Sequence, residues 1–410
     1  MKKIIVLGGG ADQVDLILDL KKRGYYTILI DYYPNPIAKK YADEHIQEST
    51  LDMETVLSIT KEKEAENIIT ACTDQALLTV AYVAEKLGFS TQFSYDQALS
   101  ITNKLHMKEK MWEAGIPTSK FVKIKNVNEG IKDLKFPLMV KPADCNGSFG
   151  VRKVNDYTEL ESFFDNASKA SRTGQVIVEE YKTGKEVGID CYVINGKAQI
   201  LMYGEVHKKR IGDNILLIYQ TYIPARISNT ALDNIQRIAD NIAKSFDLNN
   251  TPLLIQTLVD GDIVNVIEFA ARIGGASKHR TIKYKTGFDI LHANIDAVLG
   301  KIPEVTLNPS HAFFSRNHIY TYPSVFDRFE GYEKLIEDGT MVELIPYKTS
   351  GMKTGDSWAS RERVGSFLVE ADSIEHLEEK IAKVVRELRV LDIDGNDVFN
   401  REIYDGKVVE

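Results

Sequence analysis

Cysteine is scarce in this chain. Only Cys72, Cys145 and Cys191 occur in 410 residues, an odd and widely spaced set that fits neither a disulfide framework nor a zinc site. Plain thiols are expected. The eight histidines contain no HExxH pair, so a histidine-built metal centre is not expected. No apolar run approaches the about 20 residues of a membrane span, and the opening MKKIIVLGGG reads as a strand and a turn, without the apolar core of a signal peptide. A cytoplasmic protein with no membrane partner follows as the expectation. Positive charge is short too. The net charge of -8 argues against nucleic acid or an anionic membrane as the main partner. The GxxxxGK[ST] Walker loop, internal repeats and low-complexity linkers are all missing. What remains, 43% hydrophobic and 27% charged residues, is the composition of a globular chain with core material for two to four domains and a small-molecule partner.

The N-terminal part alternates strand and helix. KIIVL at residues 3–7 is an apolar run and Gly8-Gly9-Gly10 a turn. Asp12 to Arg23 is an amphipathic helix closed by Gly24, and Tyr26 to Ile30 is a second strand ending at Asp31. This is the outline of a dinucleotide fingerprint, but the third glycine falls on Gln13, so NAD binding is not expected. Helices at 53–63 and 75–87 around a strand at 67–71 continue the pattern, which predicts a small open parallel sheet. Ser94-Tyr-Asp-Gln97 is a capping box, and the spacing predicts a helix carrying Asn103-Lys104 to Ala114-Gly115.

A buried strand, FPLMVKP, then ends in Lys141 and runs into the loop Ala143 to Gly150, which holds Gly147 and Ser148. A point charge beside free backbone amides suits polyphosphate, although a snorkelling lysine on a hairpin reads equally simply. Val176 to Tyr181 is a strand with Glu179 and Glu180 at its end, and Glu186 opens the next strand. Glu179 and the backbone at 180–182 could read an adenine, and Glu186 a pair of vicinal hydroxyls, although taken one by one plain surface acids explain them just as well. The basic cluster 205–210, with His207 and Lys209, is either a solvated loop or an anion site.

Most chemistry is concentrated in Leu253 to Ala276, LLIQTLVDGDIVNVIEFAARIGGA. Two apolar runs flank Asp260-Gly261-Asp262, an antiparallel hairpin signal. A three-residue loop puts Gln256 and Glu268 on one face. A carboxylate and an amide oxygen on a buried sheet suit Mg²⁺, which takes few protein oxygens; the alternative is a salt bridge from Glu268 to Arg272. Arg272 and the Gly-Gly turn after it suit phosphate.

Taken in order, these pieces resemble the ATP-grasp superfamily over most of the chain. Lys104 is similar to that family's first nucleotide lysine and Lys141 to its second, with 144–150 as the lid's glycine loop. Glu179 to Lys182 is similar to the adenine hinge and Glu186 to the ribose acid. Gln256 and Glu268 resemble the metal pair, and Arg272 the arginine on the transferred phosphoryl group. EFAARIGG, which lacks the usual Asn-Pro before that arginine, is similar to ATP-dependent L-amino acid ligases. Ala270 stands where an asparagine is common.

The resemblance implies an ATP-grasp fold of α/β and α+β class. Its parts are an N-terminal Rossmann-like domain (1–98), an ATP-grasp domain (99–300) with a mobile lid (118–182), and a C-terminal α+β part (301–410). It implies ATP and Mg²⁺ as cofactors, carboxylate and amine substrates, an acyl phosphate, and release of ADP and phosphate. A homodimer is the expected assembly. Bicarbonate activation and nucleotide binding without ligase activity are the alternatives.

Overall fold

The computed structural model describes the chain except residues 1, 128–129, 144–149, 172, 212–214, 356, 358 and 406–410. The lid loop with Gly147 and Ser148 therefore lies outside the described residues, as does Cys145.

The N-terminal sheet is parallel, with strands in the order Glu44–Ile46, Tyr26–Ile30, Lys3–Leu7 and Asn67–Ile69. Its strands are apolar on both faces because helices cover both sides. The acid after the second strand closes the glycine turn: the Asp31 carboxylate accepts from Gly9 N at 2.7 Å. A Cβ on Gly9 would lie 2.4 Å from Pro36 Cβ, so this turn is packed shut against its own loop.

The helix expected from Ser94 to Ala114 is two helices, Tyr95–Thr102 and Lys104–Glu113. Asn103 breaks it. Its backbone is extended and its side chain accepts from Leu105 N and His106 N, capping a new helix. Lys104 is thereby the first residue of a helix that points at the cleft.

An antiparallel sheet ordered Phe121–Ile124, Val176–Glu180, Leu138–Pro142 and Arg152–Val154 occupies the stretch expected as the lid, backed by the amphipathic helix Tyr157–Ala170. It packs on the Lys104–Glu113 helix through Leu105, Ala143 and Ile177.

The central sheet has eight strands. Ile263–Ala270, Thr251–Asp260, Lys185–Ile194, Lys197–Ile211 and Ile215–Ile223 are followed by Phe313–Ile319, Gly365–Ala371 and Glu343–Pro346. Strands from beyond residue 301 thus extend the same sheet. Helix Asn229–Ser245 buries Ala231, Ile235, Ile238, Ala239 and Ile242 against one face. The cluster 205–210 is no loop but the interior of a 15-residue strand.

Candidate active site

The hairpin that carries Gln256 and Glu268 reaches its register by an unexpected route. Its loop is two residues long, with Asp260 paired to Ile263. That register alone would set Ile267 opposite Gln256 and turn Glu268 to the other face. A bulge between Gln256 and Thr257 shifts the pairing by one and brings Gln256 opposite Glu268. Both line a cleft of about 1910 Å³ between the lid and the central sheet, well above the roughly 300–1,000 Å³ of a drug-sized ligand pocket. There is room for a nucleotide and further substrates.

Glu268 does not pair with Arg272. Its Oε2 lies 2.8 Å from Lys104 Nζ, the first residue of its helix. Burial pushes the Glu268 carboxyl up, but Lys104 outweighs it and the group is held below its ordinary value. Arg272 forks instead onto Asp74, Nε to Oδ1 and Nη2 to Oδ2 at 2.6 Å each, while Nη1 donates to Ile273 O at 2.8 Å. Asp74 opens the helix Asp74–Leu87 of the N-terminal unit. A bidentate fork of this kind fixes the guanidinium plane as well as its charge, so the N-terminal unit aims Arg272 across the cleft.

Lys141, next to last in the strand Leu138–Pro142, has Nζ 2.5 Å from Glu179 Oε1, and Lys108 Nζ lies 2.5 Å from Glu179 Oε2. Burial alone would raise Glu179, but the two ammonium groups draw it down to about 2. Burial drives Lys108 the other way, to about 8, against the pull of Glu179. Sequence reading missed both Lys108 and Asp74. Lys108 was signalled, since it sits one helical turn after Lys104 on the same face. Asp74 carried no local signal, being 198 residues from its partner.

At the hinge after Val176–Glu180, the Glu180 and Tyr181 amides donate to Lys120 O at 2.9 Å and Pro137 O at 3.0 Å. Both residues line the cleft, and the Lys153 ammonium lies 4.2 Å from the Tyr181 ring centroid. Glu186 lines the cleft and is paired with Lys208 across two strands. His207 also lines it, buried against Tyr222 and 3.3 Å from Glu205. Lys209 is a correction. Its ammonium donates to the Asp405 carbonyl, because alternation along the strand turns it away from Lys208, and it is not among the cleft's lining residues.

Among Lys104, Lys108, Lys141 and Arg272 against Glu268, Glu179 and Asp74, four cations meet three carboxylates. The surplus is positive inside an acidic protein, which is the balance a polyphosphate requires. The Glu268–Gln256 pair offers one anionic and one neutral oxygen to a hard cation, a fitting share for Mg²⁺.

Residues 134–279 match the family model described as ATP-grasp domain, and the chain carries an ATP-grasp domain in an ATP-grasp fold. It is 24% identical over 323 residues to carbamoyl phosphate synthase large chain of Clostridium acetobutylicum, covering 73% of this chain but 29% of that protein. It is 23% identical over 297 residues to the L-arginine-specific L-amino acid ligase of Bacillus subtilis, covering 70% of each. The crystal structure of L-amino acid ligase from Bacillus licheniformis superposes with a TM-score of 0.78 at 18% identity, over 96% of this chain and 99% of that one. Among the described residues no helix is long and apolar enough to cross a membrane.

Proposed function

We propose that the chain is an ADP-forming carboxylate–amine ligase that uses ATP and Mg²⁺ on small-molecule substrates, with an amino acid as the preferred substrate class. The observation that carries this reading is the convergence of Lys104, Lys141, Arg272 and the Gln256–Glu268 pair on one cleft. Phosphoryl transfer asks for positioning and charge neutralisation more than for covalent help. Lys104 and Lys141 neutralise phosphate oxygens, Gln256 and Glu268 hold Mg²⁺, and Arg272, aimed by Asp74, holds the transferred group and the carboxylate that receives it. Mg²⁺ held by Gln256 and Glu268 would supply positive charge to offset that of the phosphates. The Lys182 amide with the Tyr181 ring reads the adenine, and Glu186 with Lys208 and His207 the ribose and its neighbours. The lid 118–182 keeps water from an acyl phosphate that an amine then attacks.

A homodimer in the cytoplasm is the expected setting. Bicarbonate as the activated carboxylate is the second reading, favoured by the likeness to carbamoyl phosphate synthase large chain. A phosphate-release screen with amino acids and small carboxylic acids, singly, in pairs and with bicarbonate, tests both. Release that depends on an amino acid supports the ligase, and release that depends on bicarbonate alone replaces it with the second reading.

A further inference from the structure

We propose that Asp12, Cys72 and His279 form a binding site for a divalent transition cation of the zinc class, separate from the Mg²⁺ position at Gln256 and Glu268. The three residues come from the first turn of the Ala11–Lys22 helix, the segment after strand Asn67–Ile69, and the helix Lys278–Thr286. Nothing in their spacing announces them, yet one ligand atom from each lies within 4.8 Å of the others. The ring of His279 is 6% exposed. Its Nε2 faces Asp15 Oδ2 at 2.6 Å, and Arg280 forks onto the same carboxylate at 2.6 and 2.7 Å. That contact engages Nε2 and leaves Nδ1 as the ring nitrogen turned away from Asp15. Nδ1 has no hydrogen-bond partner although it is buried, and Asp12 Oδ1 stands 3.7 Å from it. A buried ring nitrogen without a partner, a carboxylate oxygen and a thiol sulfur converging on one gap are three donor atoms placed for a cation between them. The carboxylate behind a histidine is the usual device that orients a metal-binding imidazole.

The donor set selects the class of ion. One carboxylate oxygen, one imidazole nitrogen and one sulfur suit zinc or cobalt and disfavour Mg²⁺ and Ca²⁺, which prefer oxygen throughout. The Gly274 carbonyl, 3.6 Å from Cys72 Sγ, is at hand for a fourth position. On binding, the Cys72 S–H bond breaks, its proton leaves to solvent and the sulfur's electron pair goes to the metal. Carboxylate and thiolate then balance the double positive charge.

The site has a reason to exist where it does. Ala276 and Ser277 both adopt left-handed backbone, φ 62° and 60°, a conformation that is strained for non-glycine residues. The Ser277 amide donates to Asp12 Oδ1 at 2.8 Å, and Gly275 and Ala276 line the cleft. A cation on Asp12 and His279 clamps this strained wall from behind and ties the N-terminal unit to it.

The test uses the full-length protein, stripped with a chelator and free of nucleotide, with Co²⁺ and then Zn²⁺ as probes. One equivalent of Co²⁺ should be retained with a sulfur-to-cobalt charge-transfer band in the near ultraviolet. Cys72→Ser should lose the band, His279→Gln should lose retention, and Asp15→Asn should weaken Co²⁺ binding about 10–100-fold. Zn²⁺ should displace the cobalt and raise the wild-type melting temperature. A wild-type protein that retains no Co²⁺, or that shows no sulfur band, overturns the proposal whether or not any variant folds. A band that persists in Cys72→Ser places the thiolate elsewhere and overturns it as well.

Discussion

Glu179 holds two buried lysines together, and replacing it with glutamine isolates that contribution. The glutamine side chain imitates the protonated acid in size and shape, so its cost is the free energy by which the folded protein favours the ionised carboxylate. The fall from 4.5 to about 2 corresponds to about 3 kcal/mol at about 1.4 kcal/mol per pKa unit. A carboxylate held below its unfolded value contributes its full stability above that value and loses it only as the pH falls through the folded one. At neutral pH the whole amount is therefore at stake. Glu179→Gln should destabilise the protein by about 3 kcal/mol at pH 6, a drop in melting temperature of roughly 6–12 °C for a unit of 150–250 residues.

Two further results are bound to this one. Lys108, pressed by burial to about 8 even beside its partner, will discharge more readily without it, so the deficit should narrow between pH 6 and pH 9. Removing the unpaired ammonium with Lys108→Met should recover about 1 kcal/mol or more in the Glu179→Gln background, because an uncompensated buried charge costs more than an apolar side chain. Urea or thermal denaturation of the four proteins of this cycle reads all three. A deficit below about 1 kcal/mol at pH 6, or one that Lys108→Met deepens, would refute the reasoning.

Asp74→Asn should leave the fold intact and lower turnover about tenfold to a hundredfold, since loss of the bidentate fork lets Arg272 drift; unchanged steady-state rates would mean Arg272 is positioned otherwise. Ala270→Asn, two residues after Glu268 on the same strand face, should lower the Mg²⁺ requirement by roughly tenfold. A Mg²⁺ titration that is unchanged while the substrate KM rises would mean Ala270 makes room for substrate. Gly184→Ala should cost about 1–3 kcal/mol or more in denaturant melts, because φ is +131° and the new Cβ would sit 2.8 Å from the Val259 carbonyl.

Local chemistry was legible in the sequence where a residue's role follows from its own neighbours. Lys141 lies near the end of an apolar strand, Glu268 interrupts another, and alternation together with helix caps places the N-terminal sheet, all within short windows. The helix break at Asn103 was legible in principle, since asparagine favours a cap over a helix interior, but the longer periodicity concealed it. Register was not legible. The loop one residue shorter than expected and the bulge beside Gln256 each shift the register by one residue in the same direction, and a shift of two leaves Gln256 and Glu268 on one face. Partners distant in sequence were invisible for a plainer reason. Asp74 with Arg272, Lys108 with Glu179, and Asp12, Cys72 and His279 meet only once three units have packed, and no spacing rule encodes that. Lys209 was misassigned because a run of basic residues was read as one surface, whereas a strand sends neighbours to opposite faces.

The central claim is that this cleft activates a carboxylate by phosphoryl transfer through groups arranged around Glu268. The most direct measurement separates nucleotide products after turnover with any carboxylate and amine that the phosphate screen accepts, for the wild type and for Glu268→Gln. The account predicts ADP and phosphate in equal amounts from the wild type. It predicts a loss of about a hundredfold or more in Glu268→Gln, in a protein that still folds but melts somewhat lower, since Lys104 holds that carboxyl below its ordinary value. Formation of AMP and pyrophosphate, or near-normal turnover in Glu268→Gln, would contradict it.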